Sequence, residues 1–284
     1  MATFTNQATL SYNNNVVNSN IVTGEIVEVL TASKTALSDT YGRDDTVTYV
    51  INLINSGNTD FTGLTVTDNL GAYEFNTGTV VPLTYLDGTI RFFINGELQT
   101  APTVTSPSPL TVTGINVPAN GNASIVYSAT TNEFAPLNAE GQIINTATVA
   151  GNGLTSPVTA TETIGFGTEP VLSITKAVNP LSVPENGTLT YTFIVRNTGI
   201  TEADAGDNLI IRDTFNPILN ITGVTLNGTA LAPTTGYTYD PTTGEFATVA
   251  GVVTVPAATF VQDPNTGAYT VTPGATTITV TGTV

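Results

Sequence analysis

The sequence predicts an all-β protein of two tandem antiparallel β-sandwiches, of which the second lacks its final strand. Apolar and polar residues alternate in runs rich in Thr, Val and Ile. Gly, Pro and Asn turns interrupt these runs about every 8 to 12 residues, which is typical of sandwiches. A length of 284 residues suits two domains, each large enough to bury its own core.

An internal repeat defines the two domains. The segment TVTYVINLINSGNTDFTGLTVTDNL (46–70) matches TLTYTFIVRNTGITEADAGDNLIIRDTF (188–215) in order. Further on, VPANGNASIVYSATT (117–131) matches TPGATTITVTGTV (272–284). This self-similarity predicts two copies of one domain.

The final strand of the repeat is present in the first copy only. Domain one continues with GQIINTATVAGNG (141–153), whereas the second copy stops before that strand. An open sheet edge over an uncovered core is not normally left exposed. At the N-terminus, the residues from Phe4 to Leu10 share the template apolar-x-Asn-x-Ala-x-apolar with those from Ile143 to Val149. This template predicts that the N-terminus is a donor strand for another molecule.

These features predict five segments. They are an N-terminal donor strand (1–12), a linker or second strand of a donor hairpin (13–29), sandwich domain one (30–150), a linker (151–169) and the incomplete sandwich domain two (170–284). After each copy of the template, an Asn/Gly-rich turn leads into a second strand-like stretch, VVNSNIVTGEI in one case and LTSPVTATETI in the other.

The units TVTYVINLINSGNTDFTGLTVTDNL and INTATV resemble the bacterial conserved-repeat surface domain, the family catalogued as domain of unknown function eleven. The resemblance covers most of residues 30–150 and the first half of 170–284. It implies immunoglobulin-like extracellular sandwiches of the kind found in adhesins, surface layers and fibres, including the spore appendages of some clostridia. Such a resemblance implies architecture and not a ligand.

Composition excludes several classes of function. The chain has 6 basic and 22 acidic residues, and its net charge of -16 repels phosphate backbones and anionic membranes. Cys, His and Trp are absent from the sequence, so thiol nucleophiles, imidazole bases and His/Cys metal sites are excluded. The acidic turns at 39–45 and 202–207 lack the regular ligand spacing of Ca²⁺ sites, and we interpret them as solvated. We expect no turnover enzyme, no cofactor and no metal site.

The sequence also lacks membrane and export signals. No apolar run approaches the roughly 20 residues needed to span a bilayer. The start MATFTNQATL has neither the basic region nor the apolar stretch of a signal peptide. We expect a soluble chain that is either a mature form or exported without such a signal.

The chain contains two lysines, Lys34 and Lys176, and they occupy the same place in the repeat. Side chains two residues apart on a strand share a face, so Lys34 lies on the face of Leu30, and Lys176 lies on the face of Leu172. By the same alternation, the side chains of one Asp and one Asn in each set also share a face with apolar residues and are expected to face the core. The two predicted sets are Lys34, Asp68 and Asn145, and Lys176, Asp213 and Asn6.

These sets predict spontaneous Lys–Asn isopeptide bonds. A buried lone charge is costly, and burial favours a neutral amine nucleophile beside a protonated acid that polarises the carboxamide. Two other bacterial surface immunoglobulin-like families use such a trio. By similarity, Lys34 would bond to Asn145, with Asp68 as promoter. Lys176 would bond to Asn6 of a neighbouring molecule, with Asp213 as promoter. The alternative is an ordinary Lys–Asp ion pair beside hydrogen-bonded amides.

We therefore interpret the chain as a structural subunit of an extracellular bacterial fibre on the cell or spore surface, polymerising head to tail with copies of itself. Phe4, Ala8 and Leu10 are the predicted anchors of the donor strand in the open groove of a neighbour. No nucleic-acid or membrane partner is expected. The alternative is a fragment of an adhesin or carbohydrate-binding surface protein whose domains are stalks.

Overall fold

The structure is a computed structural model that describes residues 2–284. Nearly all regular structure in this range is β-strand, and its one helix is a 3₁₀ helix of three residues, Ala205–Asp207. The predicted all-β class of immunoglobulin-like antiparallel sandwiches is confirmed. Within the described range, no helix has the length and apolar character needed to cross a bilayer.

The described residues form two compact units. The first comprises residues 2–135 and 142–165, and the second comprises residues 136–141 and 166–284. Domain one is the sandwich of the first unit, and domain two is the sandwich of the second. Each has its own apolar core, as the length of the chain predicts.

Residues 2–26 form a long β-hairpin, which we call the N-terminal hairpin. Its strands are β1 (Ala2–Asn6), β2 (Thr9–Tyr12), β3 (Asn15–Asn18) and β4 (Val22–Ile26). β1 pairs antiparallel with β4 and β2 with β3, and the register shifts by one residue between the two pairs. Asn13 and Asn14 have φ angles of 44° and 64°, as a two-residue type I′ loop requires. The predicted donor strand is thus the first arm of this hairpin, with Met1 outside the described residues.

Domain one consists of two main sheets. Its strands are β5 (Leu30–Ala36), β6 (Thr40–Tyr41), β7 (Thr46–Asn55), β8 (Phe61–Asp68), β9 (Tyr73–Phe75), β10 (Gly78–Val80), β11 (Leu83–Tyr85), β12 (Arg91–Ile94), β13 (Glu97–Gln99), β14 (Thr103–Pro107), β15 (Leu110–Val117), β16 (Gly121–Thr131), β17 (Gln142–Ala150) and β18 (Val158–Phe166). The first sheet has the order β13-β12-β16-β7-β5, with β11 also paired to β16. The second has the order β14-β15-β8-β17-β18-β6, and β9 and β10 form a separate hairpin.

Domain two repeats most of this arrangement. Its strands are β19 (Leu172–Asn179), β20 (Thr188–Asn197), β21 (Arg212–Thr214), β22 (Asn220–Leu226), β23 (Thr229–Ala230), β24 (Tyr237–Tyr239), β25 (Glu245–Thr248), β26 (Thr259–Gln262), β27 (Tyr269–Thr272) and β28 (Gly274–Thr283). One sheet has the order β19-β20-β28-β22-β23, and another has the order β21-β25-β24. β26 and β27 form a hairpin of their own.

The main strands of the repeat correspond between the two domains except at one sheet edge, whereas β9, β10 and β11 of domain one and the β26–β27 hairpin of domain two have no counterparts. In domain one, β8 pairs with β15 on one side and with β17 on the other. In domain two, the equivalent strand β21 pairs with β25, and no further strand of residues 2–284 pairs with it. The sheet that continues through β17, β18 and β6 in domain one therefore ends at β21 in domain two.

One predicted boundary differs from the structure. The segment 151–169, which the sequence assigns to a linker, contains β18, and β18 pairs with β17 from Gln142 opposite Gly165 to Val149 opposite Val158. The strand-like stretch noted there belongs to the second sheet of domain one. Its buried side chains, such as Ile164, anchor it to the core, so the linker prediction is wrong for these residues.

Candidate functional site

Lys34 and Asp68 face each other in the core of domain one. Lys34 lies on β5 of the first sheet, and Asp68 ends β8 of the second sheet. The Nζ atom of Lys34 donates to Oδ2 of Asp68 at 2.5 Å, and both side chains are almost fully buried. Strand alternation turns both residues inward with their apolar neighbours. A buried ion pair repays its desolvation only when further hydrogen bonds satisfy its remaining atoms.

Tyr127 supplies one of those bonds and links the pair to Asn145. The Tyr127 hydroxyl donates to Oδ2 of Asp68 at 2.7 Å, and Nδ2 of Asn145 donates to the Tyr127 hydroxyl oxygen at 3.0 Å. The backbone N–H of Leu70 donates to the other carboxylate oxygen of Asp68 at 3.0 Å. Lys34, Asp68, Tyr127 and Asn145 thus form one continuous chain of hydrogen bonds inside the core.

Two buried polar atoms at this site have no hydrogen-bond partner among the described residues. They are Oδ1 of Asn145 and the hydroxyl of Tyr49. Unsatisfied buried polar groups are uncommon in folded proteins, and each calls for a physical explanation. The carbonyl end of the Asn145 carboxamide is therefore held in the core without the stabilisation that such groups normally receive.

Two tyrosine rings form one wall of the site. The rings of Tyr49 and Tyr127 stack with centroids 5.5 Å apart. Nζ of Lys34 lies 4.8 Å from the Tyr49 centroid and 5.8 Å from the Tyr127 centroid. The amine is thus held between a carboxylate and aromatic surface, with its own side chain excluded from water.

Burial sets the protonation of these groups. Desolvation lowers the pKa of Lys34 from 10.5 to about 8, although the neighbouring Asp68 carboxylate acts in the opposite direction. Desolvation raises the pKa of Tyr49 and of Tyr127 above their ordinary values. A substantial fraction of Lys34 is therefore free amine slightly above neutral pH, while both phenols keep their protons.

The structure brings Lys34, Asp68 and Asn145 together through Tyr127, a residue that the sequence analysis did not single out. The repeat segment VPANGNASIVYSATT contains it, and strand alternation turns it inward with Ile125. That signal gives the face of the side chain but not the partners of its hydroxyl. Glu162 was also missed. It lies opposite Asn145 on β18, and its charge slightly opposes the lowering of the lysine pKa.

Domain two holds the equivalent pair in an open setting. Nζ of Lys176 lies 2.5 Å from Oδ2 of Asp213. The same amine lies 4.5 Å from the ring centroid of Tyr191 and 5.6 Å from that of Phe215, so it is directed toward the core side of its sheet. Its side chain is nevertheless 42% exposed, whereas that of Lys34 is 0% exposed. The pair of domain two thus lacks the cover present in domain one.

An apolar groove runs beside this exposed pair, and we call it the acceptor groove. Its apolar lining residues are Leu172, Ile174, Val195, Leu209, Ile210 and Ile211. Leu172 and Ile174 on β19 are exposed, although Leu30 at the matching place in domain one is buried. The acceptor groove adjoins the edge of β21 that carries no partner strand in residues 2–284.

The N-terminal hairpin presents the third member of the second set. Phe4, Asn6, Ala8 and Leu10 alternate along its first arm and therefore share one face. All four are exposed, in contrast to the buried Asn145 of domain one. Phe4 and Leu10, the large apolar residues of this face, are more than half exposed.

The acidic turns have local structural roles. Asp204 and Asp207 form a capping box around the 3₁₀ helix, and a carboxylate oxygen of Asp45 accepts the backbone N–H of Gly42. Among the described residues, no group of three or more acidic side chains is arranged to hold a metal ion.

Comparison with known proteins gives similarities of fold at low sequence identity. The major pilin subunit of Bacillus cereus matches with a TM-score of 0.36 and 12% identity, over 96% of this chain and 73% of that chain. The pilus backbone of Streptococcus pneumoniae matches with a TM-score of 0.33 and 14% identity, over 86% of this chain and 55% of that one. The collagen-binding domain of a Staphylococcus aureus adhesin matches with a TM-score of 0.31 and 12% identity, over 49% of this chain and 99% of that one.

Matches at these identities and TM-scores carry no functional assignment to this chain, and enzymes are among the matched structures as well. No model of a protein family matches the chain, and no curated protein is similar to it in sequence. The resemblance to the conserved-repeat surface domain therefore stays a prediction.

Proposed function

We propose that the protein is a structural subunit of an extracellular bacterial fibre on the cell or spore surface, assembled head to tail from copies of itself. The observation that carries this proposal is the match between two parts of the chain. The sheet of domain two that contains β21 ends at that strand, where the matching sheet of domain one continues with the β17–β18 hairpin, and the N-terminal hairpin presents the same residue template as β17. The N-terminal hairpin of one copy completes domain two of the next.

The repeat gives the register of this addition. In domain one, Ala147 of β17 lies opposite Asp68 of β8. By equivalence, Ala8 of a second copy lies opposite Asp213 across the free edge of β21. Asn6 then takes the place that Asn145 has in domain one. The added strand gains main-chain hydrogen bonds along the edge and directs its apolar residues into the acceptor groove.

Both partners expose the apolar surface that this addition buries. Phe4 and Leu10 are exposed on the N-terminal hairpin, and Leu172 and Ile174 are exposed at the acceptor groove. Burial of each large side chain contributes about 1.5 to 3 kcal/mol. These residues therefore favour association before any covalent bond forms.

The second arm of the N-terminal hairpin also has an acceptor. In domain one, the backbone N–H of Gly165 on β18 donates to the carbonyl of Asp39 at 2.9 Å. Leu181 occupies the place of Asp39 in domain two and is 90% exposed. Glu25 on β4 occupies the place of Gly165, so β4 of the second copy pairs at Leu181. The donor is a two-stranded hairpin in this arrangement.

Covalent bonds then make the assembly permanent. In domain one, the amine of Lys34 attacks the carboxamide carbon of Asn145 and ammonia leaves, with Asp68 as promoter. In domain two, the amine of Lys176 forms the corresponding bond to Asn6 of the neighbour, with Asp213 as promoter. Each reaction occurs once per site, so the protein is a structural component and not a turnover enzyme.

The two faces of the N-terminal hairpin provide a matched test. Leu10 lies on the face of Asn6, and Val16 lies on the opposite face, because it pairs with Ser11. Both are more than half exposed in the free chain. Leu10→Asp places a charge in the acceptor groove and should reduce fibres to monomers in electron micrographs and size-exclusion chromatography. Val16→Asp should assemble normally. Equal assembly of both variants would place the interface elsewhere.

A further inference from the structure

We propose that Tyr127 is a catalytic residue of domain one, which relays a proton from Asp68 to the nitrogen that leaves Asn145. This inference rests on the isopeptide bond of the proposed function and assigns a role that the lysine, aspartate and asparagine alone do not fill. Tyr127 contacts both the promoter carboxylate and the leaving group.

Three hydrogen bonds in series mark the route of the proton. Nζ of Lys34 lies 2.5 Å from Oδ2 of Asp68, and that same oxygen accepts the Tyr127 hydroxyl at 2.7 Å. The Tyr127 oxygen lies 3.0 Å from Nδ2 of Asn145. The hydroxyl is therefore the group between the carboxylate and the leaving nitrogen, within the range at which proton transfer by a positioned side chain operates.

The steps balance without any further reactant. Lys34 passes a proton to Asp68 and becomes a free amine. Its lone pair forms a bond to the carboxamide carbon of Asn145, giving a tetrahedral intermediate whose former amide nitrogen now carries a basic lone pair. Tyr127 donates its proton to that nitrogen and recovers one from Asp68. The bond between the carbon and Nδ2 breaks and ammonia departs. The former lysine nitrogen then gives its extra proton to Asp68, so the products are a neutral amide between the two side chains, ammonia and a protonated Asp68.

The surroundings of Tyr127 suit this role. It is buried, and burial raises the pKa of its phenol, so it holds its proton until a basic nitrogen forms beside it. Stacking against Tyr49 fixes the ring. The Tyr49 hydroxyl also lies beside Asn145, but it makes no hydrogen bond to Asp68 from which it could recover a proton. The hydrogen bond from Asn145 already aligns Nδ2 with the Tyr127 oxygen.

Domain two lacks this hydroxyl. Tyr127 lies opposite Tyr49 across β16 and β7, and the residue opposite the equivalent Tyr191 is Val280. Val280 is fully buried and has no polar side-chain atom. The relay is therefore specific to domain one, and the junction site must protonate its leaving group by another route.

The test follows bond formation in the full chain, isolated unfolded in urea and refolded by dilution. Samples are quenched in acid and scored by intact mass for the loss of ammonia, and a digest identifies the Lys34–Asn145 branched peptide. Tyr127→Phe keeps the ring and removes the hydroxyl. We expect the rate in domain one to fall by about a hundredfold or more, the usual contribution of a general acid. Tyr85→Phe alters a neighbouring buried ring outside the hydrogen-bond chain and should react at the wild-type rate.

A pH series distinguishes proton relay by Tyr127 from an effect of Tyr127 on the protonation of Lys34. If Tyr127 acted only by adjusting the free-amine fraction of Lys34, Tyr127→Phe would regain the wild-type rate at pH 9 to 10, well above the lysine pKa of about 8. We expect the defect to persist there. A wild-type rate in Tyr127→Phe, or full recovery at high pH, would overturn the relay while leaving the isopeptide bond intact. Absence of ammonia loss in the wild type would instead overturn the bond itself.

Discussion

Domains one and two carry the same lysine-aspartate pair at the same distance, 2.5 Å in each case, in opposite surroundings. In domain one, the β17–β18 hairpin covers the pair and supplies Asn145. In domain two the pair is open, and the acceptor groove beside it is exposed. The comparison teaches that the covering hairpin, and not the charged pair, distinguishes the closed site from the open one.

The aromatic wall of the site is present in both domains. Lys34 approaches the ring of Tyr49 at 4.8 Å, and Lys176 approaches the ring of Tyr191 at 4.5 Å. The amine in domain two is therefore already positioned against its sheet. The proposed completion of the open site by the N-terminal hairpin and its asparagine would therefore need little rearrangement of the lysine.

The largest effect expected from this difference is on stability. The double substitution Lys34→Met with Asp68→Asn prevents the proposed crosslink without leaving a buried lone charge. The bond between Lys34 and Asn145 would close a loop of roughly 100 residues. By analogy with a disulfide that closes a loop of this length, its loss should lower the free energy of unfolding of domain one by about 4 kcal/mol. The free energy of unfolding is measured from urea dependence of hydrogen exchange in peptides of β16 (Gly121–Thr131).

The matched variant in the monomeric chain is Lys176→Met with Asp213→Asn. Its pair is partly exposed, so its removal should change the stability of domain two by about 1 kcal/mol or less. Equal losses in the two domains would contradict the distinction between a closed and an open site. The measurement uses protein kept below the concentration at which it assembles.

A smaller effect is expected from pH. In Asn145→Ala, the amine of Lys34 stays free, and its pKa is about 8 when folded against 10.5 when unfolded. Below pH 8 both states hold the proton, so the cost of burying the charge is present in full. Between pH 8 and 10, the unfolded chain holds a proton that the folded chain has lost, so the free energy of unfolding should rise by about 2 to 3 kcal/mol.

The control for that pH series is Lys34→Met in the same Asn145→Ala background, which should show no such rise. Comparison stops at pH 10, because the raised pKa values of Tyr49 and Tyr127 act in the opposite direction above it. A parallel pH dependence in both variants would show that Lys34 is not desolvated as the structure indicates.

Much of this arrangement could be predicted from strand alternation and the repeat. Alternation turned Lys34, Asp68 and Asn145 inward, because a strand has only two faces. It could not show that the Tyr127 hydroxyl joins them, since hydrogen-bond partners across two sheets depend on packing in three dimensions. The linker prediction at 151–169 failed for a related reason. The pairing of β18 with β17 depends on a partner strand, and the local sequence alone does not reveal it.

The central claim is that the open site of domain two is completed by the N-terminal hairpin of the next subunit. The most direct measurement is mass spectrometry of digested fibres after boiling in detergent, combined with denaturing electrophoresis. We predict a ladder of polymers and a branched peptide joining Lys176 to Asn6, with Lys176→Arg collapsing the ladder to monomer while fibres persist in native buffer. Wild-type fibres that melt entirely to monomer, with no such peptide, would contradict the covalent junction.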